Sequence, residues 1–243
     1  MTLELYHAAI STCSQKVRLV LAEKGIPFTG HKINFGRGEH LTPEYLALNP
    51  NGVVPTLIHD GEAIIESSVI TEYLDEVFPD IPLRPADSKA RARMRVWRQY
   101  IDEVPTPAIR PVSFNTFFVP IFSRMSEAEF WAYSERLPLR KHFYRKMGRN
   151  GFSDADIAEA QDRLVQALDR MEAALLQGPY ITGDQYTLVD VALTPTLVRM
   201  FDCDLAHLWD SRPRVAAWYA RIVARPNFDQ AYTPASRILG PHI

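Results

Sequence analysis

Every stretch of this chain that alternates apolar and polar residues like a β-strand lies before residue 66, and no strand pattern follows it. That division predicts an α/β unit first and an all-helical body after it. Leu3 to His7 alternates as a strand, and Ser11 to Glu23 then changes to helical spacing, with Val17, Val20 and Leu21 on one face and Gly25 just past the end. A second short strand is expected around 31–34. Thr42-Pro43-Glu44 reads as a helix start, with Thr as N-cap and Pro at the first helical position. Val54 to His59 is a strand, Asp60-Gly61 a hairpin turn, and Ala63 to Ile65 the returning strand. Ser67 is placed to cap a helix carrying Val69, Ile70, Tyr73 and Leu74. The predicted order is βαβαββα, with a crossover for the parallel part of the sheet and a hairpin for its antiparallel edge.

Pro79, Pro82 and Pro85 punctuate a polar stretch that reads as a linker. The expected organisation is a first domain over residues 1–79, a linker over 80–88, and a helical domain over 89–243. Helices are predicted over 90–103, with Met94, Trp97 and Ile101 facing inward, and over 153–175, where Ser153 and Asp156 have capping-box spacing. Two more are expected over 187–200 and 213–224. Residues 112–150 are aromatic and interrupted by proline, and their pattern assigns no element.

Lys+Arg 27 against Asp+Glu 29 leaves a formal charge of −2. Such a balance offers no electrostatic footprint for nucleic acid or an anionic membrane. No apolar run reaches the length of a bilayer span, and no signal-peptide pattern precedes the first strand. Cys13 and Cys203 are too few for a disulfide framework and fit a reducing, cytoplasmic setting. Nothing in the pattern asks for a metal.

Three local features carry chemistry. At Ser11-Thr12-Cys13-Ser14, free N–H groups and the helix dipole suit a thiolate, of a cysteine or of a bound thiol. The same residues would also serve as a plain N-cap. At Val54-Pro55, a proline entering a strand removes a ladder donor. A cis bond there would turn the backbone outward for an extended peptide, and a trans proline would simply start the strand. At Glu66-Ser67-Ser68, a carboxylate beside a helix start suits an ammonium, and Ser67 with its N–H suits a carboxylate. The plainer reading is a cap with a solvated glutamate.

In this order and spacing, Ser11-Thr12-Cys13-Ser14 with Val17-Arg18, Leu48-Asn49-Pro50 with Val54-Pro55, and Glu66-Ser67 resemble the glutathione-binding domain of cytosolic glutathione transferases. Gly183-Asp184 with Thr187-Leu188-Val189-Asp190 resembles the capping box of their second domain, with Tyr186 and Val191 as its staple. The resemblance implies a thioredoxin-like first domain, glutathione as co-substrate, and a homodimer. It further implies that Val54 pairs with the cysteinyl backbone beside a cis Pro55, and that Glu66 and Ser67 hold the γ-glutamyl end. Gly38-Glu39-His40-Leu41 is similar to the delta and theta classes, which implies His40 near the glycyl end. Serine-type classes imply Ser11 as thiol activator, with Ser14 beside it. Beta-class enzymes use a cysteine that would fall near Cys13.

Leu83-Arg84-Pro85-Ala86-Asp87, Met94-Arg95-Val96-Trp97, Met125-Ser126 with Glu129-Phe130, and Arg149-Asn150-Gly151-Phe152 resemble the bacterial glutathione-dependent β-etherases. An aromatic acceptor is then expected in a pocket built from Ile10, Phe114, Phe117 and Phe118, though the same phenylalanines would equally pack a helical core. The function expected is glutathione transfer to a small, aromatic electrophile or aryl ether. A zeta-like isomerase and a non-catalytic glutathione-binding protein are the alternatives.

Overall fold

The computed structural model describes residues 2–238. Strand β1 (Leu3–His7) takes a central place because Leu3, Leu5 and His7 all face inward along it. Helix α1 (Thr12–Lys24) ends at Gly25, whose φ of 62° satisfies the left-handed C-cap that the sequence signals. Strand β2 (Thr29–Lys32) runs parallel to β1, starting two residues earlier than its sequence pattern suggests. Helix α2 (Pro43–Leu48) opens as expected, with the Thr42 hydroxyl accepting from Tyr45 N–H. Strands β3 (Thr56–His59) and β4 (Glu62–Ile65) form the hairpin, with Leu57 paired to Leu5 on one side and Ile64 on the other. Helix α3 (Ser67–Val77) completes the unit. The sheet order is β2-β1-β3-β4, mixed as the sequence predicts.

Two expectations at the site are corrected by a residue or two. β3 begins at Thr56 rather than Val54, because Pro55 has no N–H to give the ladder. Ser67 does not cap α3. It is the first helical residue, and Glu66 holds the N-cap position without a side-chain cap bond.

The second domain begins with α4 (Ser88–Glu103), capped by Asp87, whose carboxylate accepts from Ala90 N–H at 2.8 Å. Helix α5 (Pro105–Ser113) follows at once, and Pro105 at its first position needs no donor. Residues Phe114–Phe118 form a wide π-turn in which Val119 N–H reaches back five residues to the Phe114 carbonyl. Pro120 cannot continue an ordinary α ladder, and the wider turn accommodates it. Three short helices follow: α6 (Val119–Phe122), α7 (Glu127–Glu135) and α8 (Lys141–Met147). Asn115 ties this region down, giving its amide N–H to the Phe152 carbonyl at 2.9 Å and accepting from Phe152 N–H at 2.8 Å. Gly151 makes that approach possible, since φ is +96° and a Cβ would stand 2.6 Å from the Asn115 side-chain oxygen.

The long helices α9 (Asp154–Ala174), α10 (Leu188–Asp202) and α11 (Pro213–Val223), with the short α12 (Phe228–Ala231), make the body of the second domain. The Ser153–Asp156 capping box is present, and so is that of Thr187 and Asp190. Asp190 is fully buried. It accepts from Thr187 N–H at 2.9 Å, Ile181 N–H at 3.1 Å and the Trp218 indole at 2.8 Å. Burial pushes its carboxyl up, and those donors are what keep an anion tolerable there.

Helix α1 packs against α3 on one side and against α10 and α12 on the other. Its polar side chains are therefore mostly buried, and several have partners across the boundary between the domains. Gln15 donates to Ser236 O, Arg18 to Ala231 O, and Glu23 takes two 2.7 Å bonds from Arg225. The fully buried Lys24–Asp75 pair at 2.7 Å anchors the linker, because Lys24 also donates to the Phe78 and Ile81 carbonyls. Removing one member of such a pair strands a charge and costs about 3–5 kcal/mol. The start of α1 is thus held from both domains.

Candidate active site

A cavity of about 170 Å³ opens where the start of α1, the Pro55 loop and the start of α3 face α4, α5 and the approach to α8. The first domain lines it with Cys13, Val53, Val54, Pro55, Glu66, Ser67 and Ser68. The second lines it with Asp102, Thr106, Arg110, Leu139 and Arg140.

At the α1 end, Ser11 is the N-cap. Its Oγ accepts from Ser14 N–H at 3.2 Å, which leaves the hydroxyl proton free for another acceptor. The N–H groups of Thr12 and Cys13 have no hydrogen-bond partner among the described residues, as befits a first helical turn. Cys13 is half-buried and lines the cavity, whereas Ser11, two residues before it at the cap, is not among the lining residues. Ser14 is turned away. It is fully buried, and its Oγ accepts from Ala8 N–H at 3.3 Å, fixing the strand-to-helix turn.

The Val54–Pro55 bond is cis. Asn49 and Tyr45 brace the loop, both donating to the Val53 carbonyl, at 2.9 and 2.7 Å. The N–H and C=O of Val54 itself carry no hydrogen bond among the described residues. That is the edge an extended peptide can pair with.

Glu66 has φ 69° and ψ 111°, a conformation an L-residue adopts only where its surroundings impose it. Asn51 donates to its carboxylate at 3.2 Å. Behind it, Lys16 donates to Ser68 Oγ at 3.1 Å and to Asp102 at 3.0 Å, joining the two walls at this end.

Other residues singled out from the sequence lie elsewhere. His40 is 3% exposed, set edge-on to Phe35 and Tyr133, with its Nδ1 unpartnered. Burial first, and Arg136 second, lower its pKa to about 4, so it is neutral. The Ile10 carbonyl accepts from Arg199, a contact that draws this turn toward α10 rather than into the cavity lining. Phe114 packs on Phe118 and Phe143, with centroids 4.7 and 4.8 Å away, in a satellite core with Phe122, Phe130 and Tyr144. Phe117 packs against the main core instead.

Sequence reading missed the second wall. Asp102, Thr106 and Arg110 recur every fourth residue across the α4–α5 junction, which puts them on one side. That signal exists in the sequence, but Pro105, Pro107 and Pro111 hide the helix that carries it. Arg140 lies in the stretch left without an assignment.

Among the described residues no group of three or more His, Cys, Asp or Glu side chains is arranged to hold a metal, and no helix is long and apolar enough to cross a membrane. The glutathione S-transferase N-terminal domain family matches residues 10–77, and the corresponding C-terminal domain family matches residues 154–221. Protein LigF of Sphingobium sp. (strain NBRC 103272 / SYK-6) is 31% identical over 98% of this chain and 95% of its own. The crystal structure of β-etherase LigF superposes with a TM-score of 0.87, at 30% identity over 96% of this chain and all of that one. A tetrachloro-p-hydroquinone reductive dehalogenase of Sphingobium chlorophenolicum is 27% identical, covering 93% of this chain and 94% of its own.

Proposed function

The chain belongs to the glutathione S-transferase family, and from that premise we propose that it activates the glutathione thiol for attack on an aromatic electrophile or aryl ether. The observation that carries this is one cavity in which an unpaired backbone edge at Val54, the carboxylate of Glu66 on a strained backbone and the unpaired N–H groups opening α1 come together. Glutathione lies extended along that wall. Val54 and the cis Pro55 meet its cysteinyl backbone, Glu66 takes the γ-glutamyl ammonium, and the Ser67 hydroxyl and N–H take the carboxylate beside it. His40, buried against Phe35 and Tyr133 and outside the cavity lining, stands apart from it.

The thiol then reaches the start of α1. A free thiol with pKa near 8.5 is only a few per cent ionised at pH 7. Each unit of depression requires about 1.4 kcal/mol of preference for the thiolate. The Thr12 and Cys13 N–H groups, the helix dipole and a Ser11 O–H donor can supply about two units together. The Ser11 Oγ accepts from Ser14 N–H at 3.2 Å, which leaves its own proton available to a thiolate. Attack forms a C–S bond at the carbon bearing the aryl oxygen. The C–O bond breaks with its electron pair going to the phenolate, and the proton released by the thiol balances the phenol that leaves. The likeness to LigF, named a β-etherase, favours the ether as acceptor.

A second reading has one observation behind it. Cys13 lines the cavity, which suits a cysteine-type mechanism in which its own sulfur meets glutathione.

The same proposal keeps residues 1–79 as the glutathione-binding domain, 80–88 as the linker and 89–243 as the acceptor domain. It includes a cytoplasmic protein and a homodimer. Val69 on α3 and Val96 on α4 are each more than half exposed beside the Glu72–Arg95 ion pair that joins these helices, and they suit a pairing surface.

The test is to incubate enzyme, glutathione and a β-aryl ether, and to measure phenol released against glutathione consumed. One-to-one stoichiometry is expected. Turnover without net consumption of glutathione would make it an isomerase, and binding without turnover a non-catalytic protein.

A further inference from the structure

The charges in this cavity are not balanced one against another. Of its two carboxylates, Asp102 is paired with Lys16 at 3.0 Å, while Glu66 accepts only the neutral Asn51 amide at 3.2 Å and keeps its charge for the γ-glutamyl ammonium proposed above. Both of its guanidinium groups, Arg110 from α5 and Arg140 from just before α8, lack any hydrogen bond or ion pair among the described residues. The two cations lie close enough to repel, and Arg110 is half-buried. Burial, and then Arg140, lower the Arg110 pKa; Cys13, Asp102 and Glu66 act on it in the opposite sense. Two neighbouring unsatisfied guanidinium groups form an incomplete site that a carboxylate completes, because its two oxygens match the planar N–H fork.

Their position says which carboxylate. Along the second wall, Asp102 stands at the Ser68 end, joined to it through Lys16, where the γ-glutamyl group is proposed to lie. Arg110 comes eight residues later, two turns along, and faces Cys13 across the cavity, with Cys13 acting on it more than Asp102 or Glu66 does. That is the thiol end, where an acceptor must sit.

Building on the glutathione-binding reading above, we propose that Arg110 and Arg140 form an anion subsite for the acceptor, and that this enzyme selects aromatic acceptors bearing a carboxylate. The apolar contact in the subsite comes from Leu139, and the charge decides the ranking.

A matched pair of thioether conjugates tests this without turnover: S-(4-carboxybenzyl)glutathione and its neutral 4-carbamoyl analogue, titrated calorimetrically into the full-length protein. Wild type is expected to bind the carboxylate about tenfold or more tightly than the amide, as a charged hydrogen bond supplies. Arg110→Gln should lose most of that preference while binding the neutral conjugate almost as before, and Arg140→Gln should lose part of it. Raising salt should shrink the preference in wild type only. Equal binding of both conjugates by wild type would overturn the subsite and leave the glutathione reading intact. Equal weakening of both conjugates in the variants would also overturn it, by assigning the arginines to glutathione's own carboxylates. Failure of wild type to bind either conjugate would overturn the glutathione site itself, and the subsite with it.

Discussion

The wall that the first domain gives to the cavity offers mainly backbone: the unpaired edge of Val54, the N–H groups at the start of α1, and the start of α3. The opposite wall offers side chains on helices: Asp102, Thr106, Arg110 and, from the approach to α8, Arg140. Backbone donors are fixed by the fold and survive almost any side-chain change. Helical side chains can be exchanged without disturbing the helix that carries them. One wall therefore suits a peptide co-substrate that never varies, and the other an acceptor that differs from enzyme to enzyme. The first wall is also the one with the imposed geometry, in Glu66 at φ 69° and in the braced Pro55 loop.

If that contrast is right, changes to the first wall alter every reaction alike, and changes to the second reorder the acceptors. The largest effect is expected from Ser11→Ala, which removes a donor to the developing thiolate. Turnover should fall roughly 10²–10³-fold for all acceptors, with a much smaller change in glutathione affinity. A loss confined to one acceptor would break the comparison. Glu66→Ala comes next. Glutathione affinity should drop about ten- to a hundredfold by calorimetry, as a charged hydrogen bond is worth ~1.5–3 kcal/mol, while the ranking of acceptors stays as it was.

Acidity should distinguish the two domains as well. His7 and His40 are both buried in the first, and each has its pKa lowered from 6.5 to about 4. For His7 the cause is burial first and Arg18 second. The unfolded chain binds these protons below pH 6.5, and the native one does not until about pH 4. Stability must therefore fall as pH drops through that window and recover as it rises. Denaturant midpoints at pH 7 and pH 5 should show the loss, and His40→Gln should flatten it. The smallest effect expected is from Asn51→Ala, which frees the Glu66 carboxylate from an exposed 3.2 Å bond. Glutathione affinity should weaken only a few-fold, since a net hydrogen bond is worth about 1 kcal/mol.

The same contrast explains what could be read in advance. Backbone sites announce themselves through the residues that shape a backbone, such as Gly25 after α1, Pro55 before β3 and the Thr187–Asp190 box. The first-domain wall was legible for that reason, apart from the cap misplaced at Ser67 and from Ile10, Ser11, Ser14 and His40, which lie outside the cavity lining. The second wall was not. Its helix α5 is built around prolines, and the π-turn at Phe114–Phe118 answers to Pro120, a tertiary solution with no local signature. Asn115 and Gly151, which hold that region in place, act on each other across thirty-six residues. The aromatic run at Phe114 and Phe118 looked like a pocket because a packed core and a lining share the same composition, and the structure gives these two rings a satellite core to fill.

The central claim is that the start of α1, with the Ser11 hydroxyl, holds glutathione as its thiolate. Ultraviolet titration of the thiolate absorbance of bound glutathione tests it most directly, in wild type, Ser11→Ala and Cys13→Ala. The account predicts a bound thiol pKa about two units below that of free glutathione in wild type and Cys13→Ala, and a rise only in Ser11→Ala. A bound pKa equal to that of free glutathione in wild type, or a rise in Cys13→Ala with none in Ser11→Ala, would contradict it.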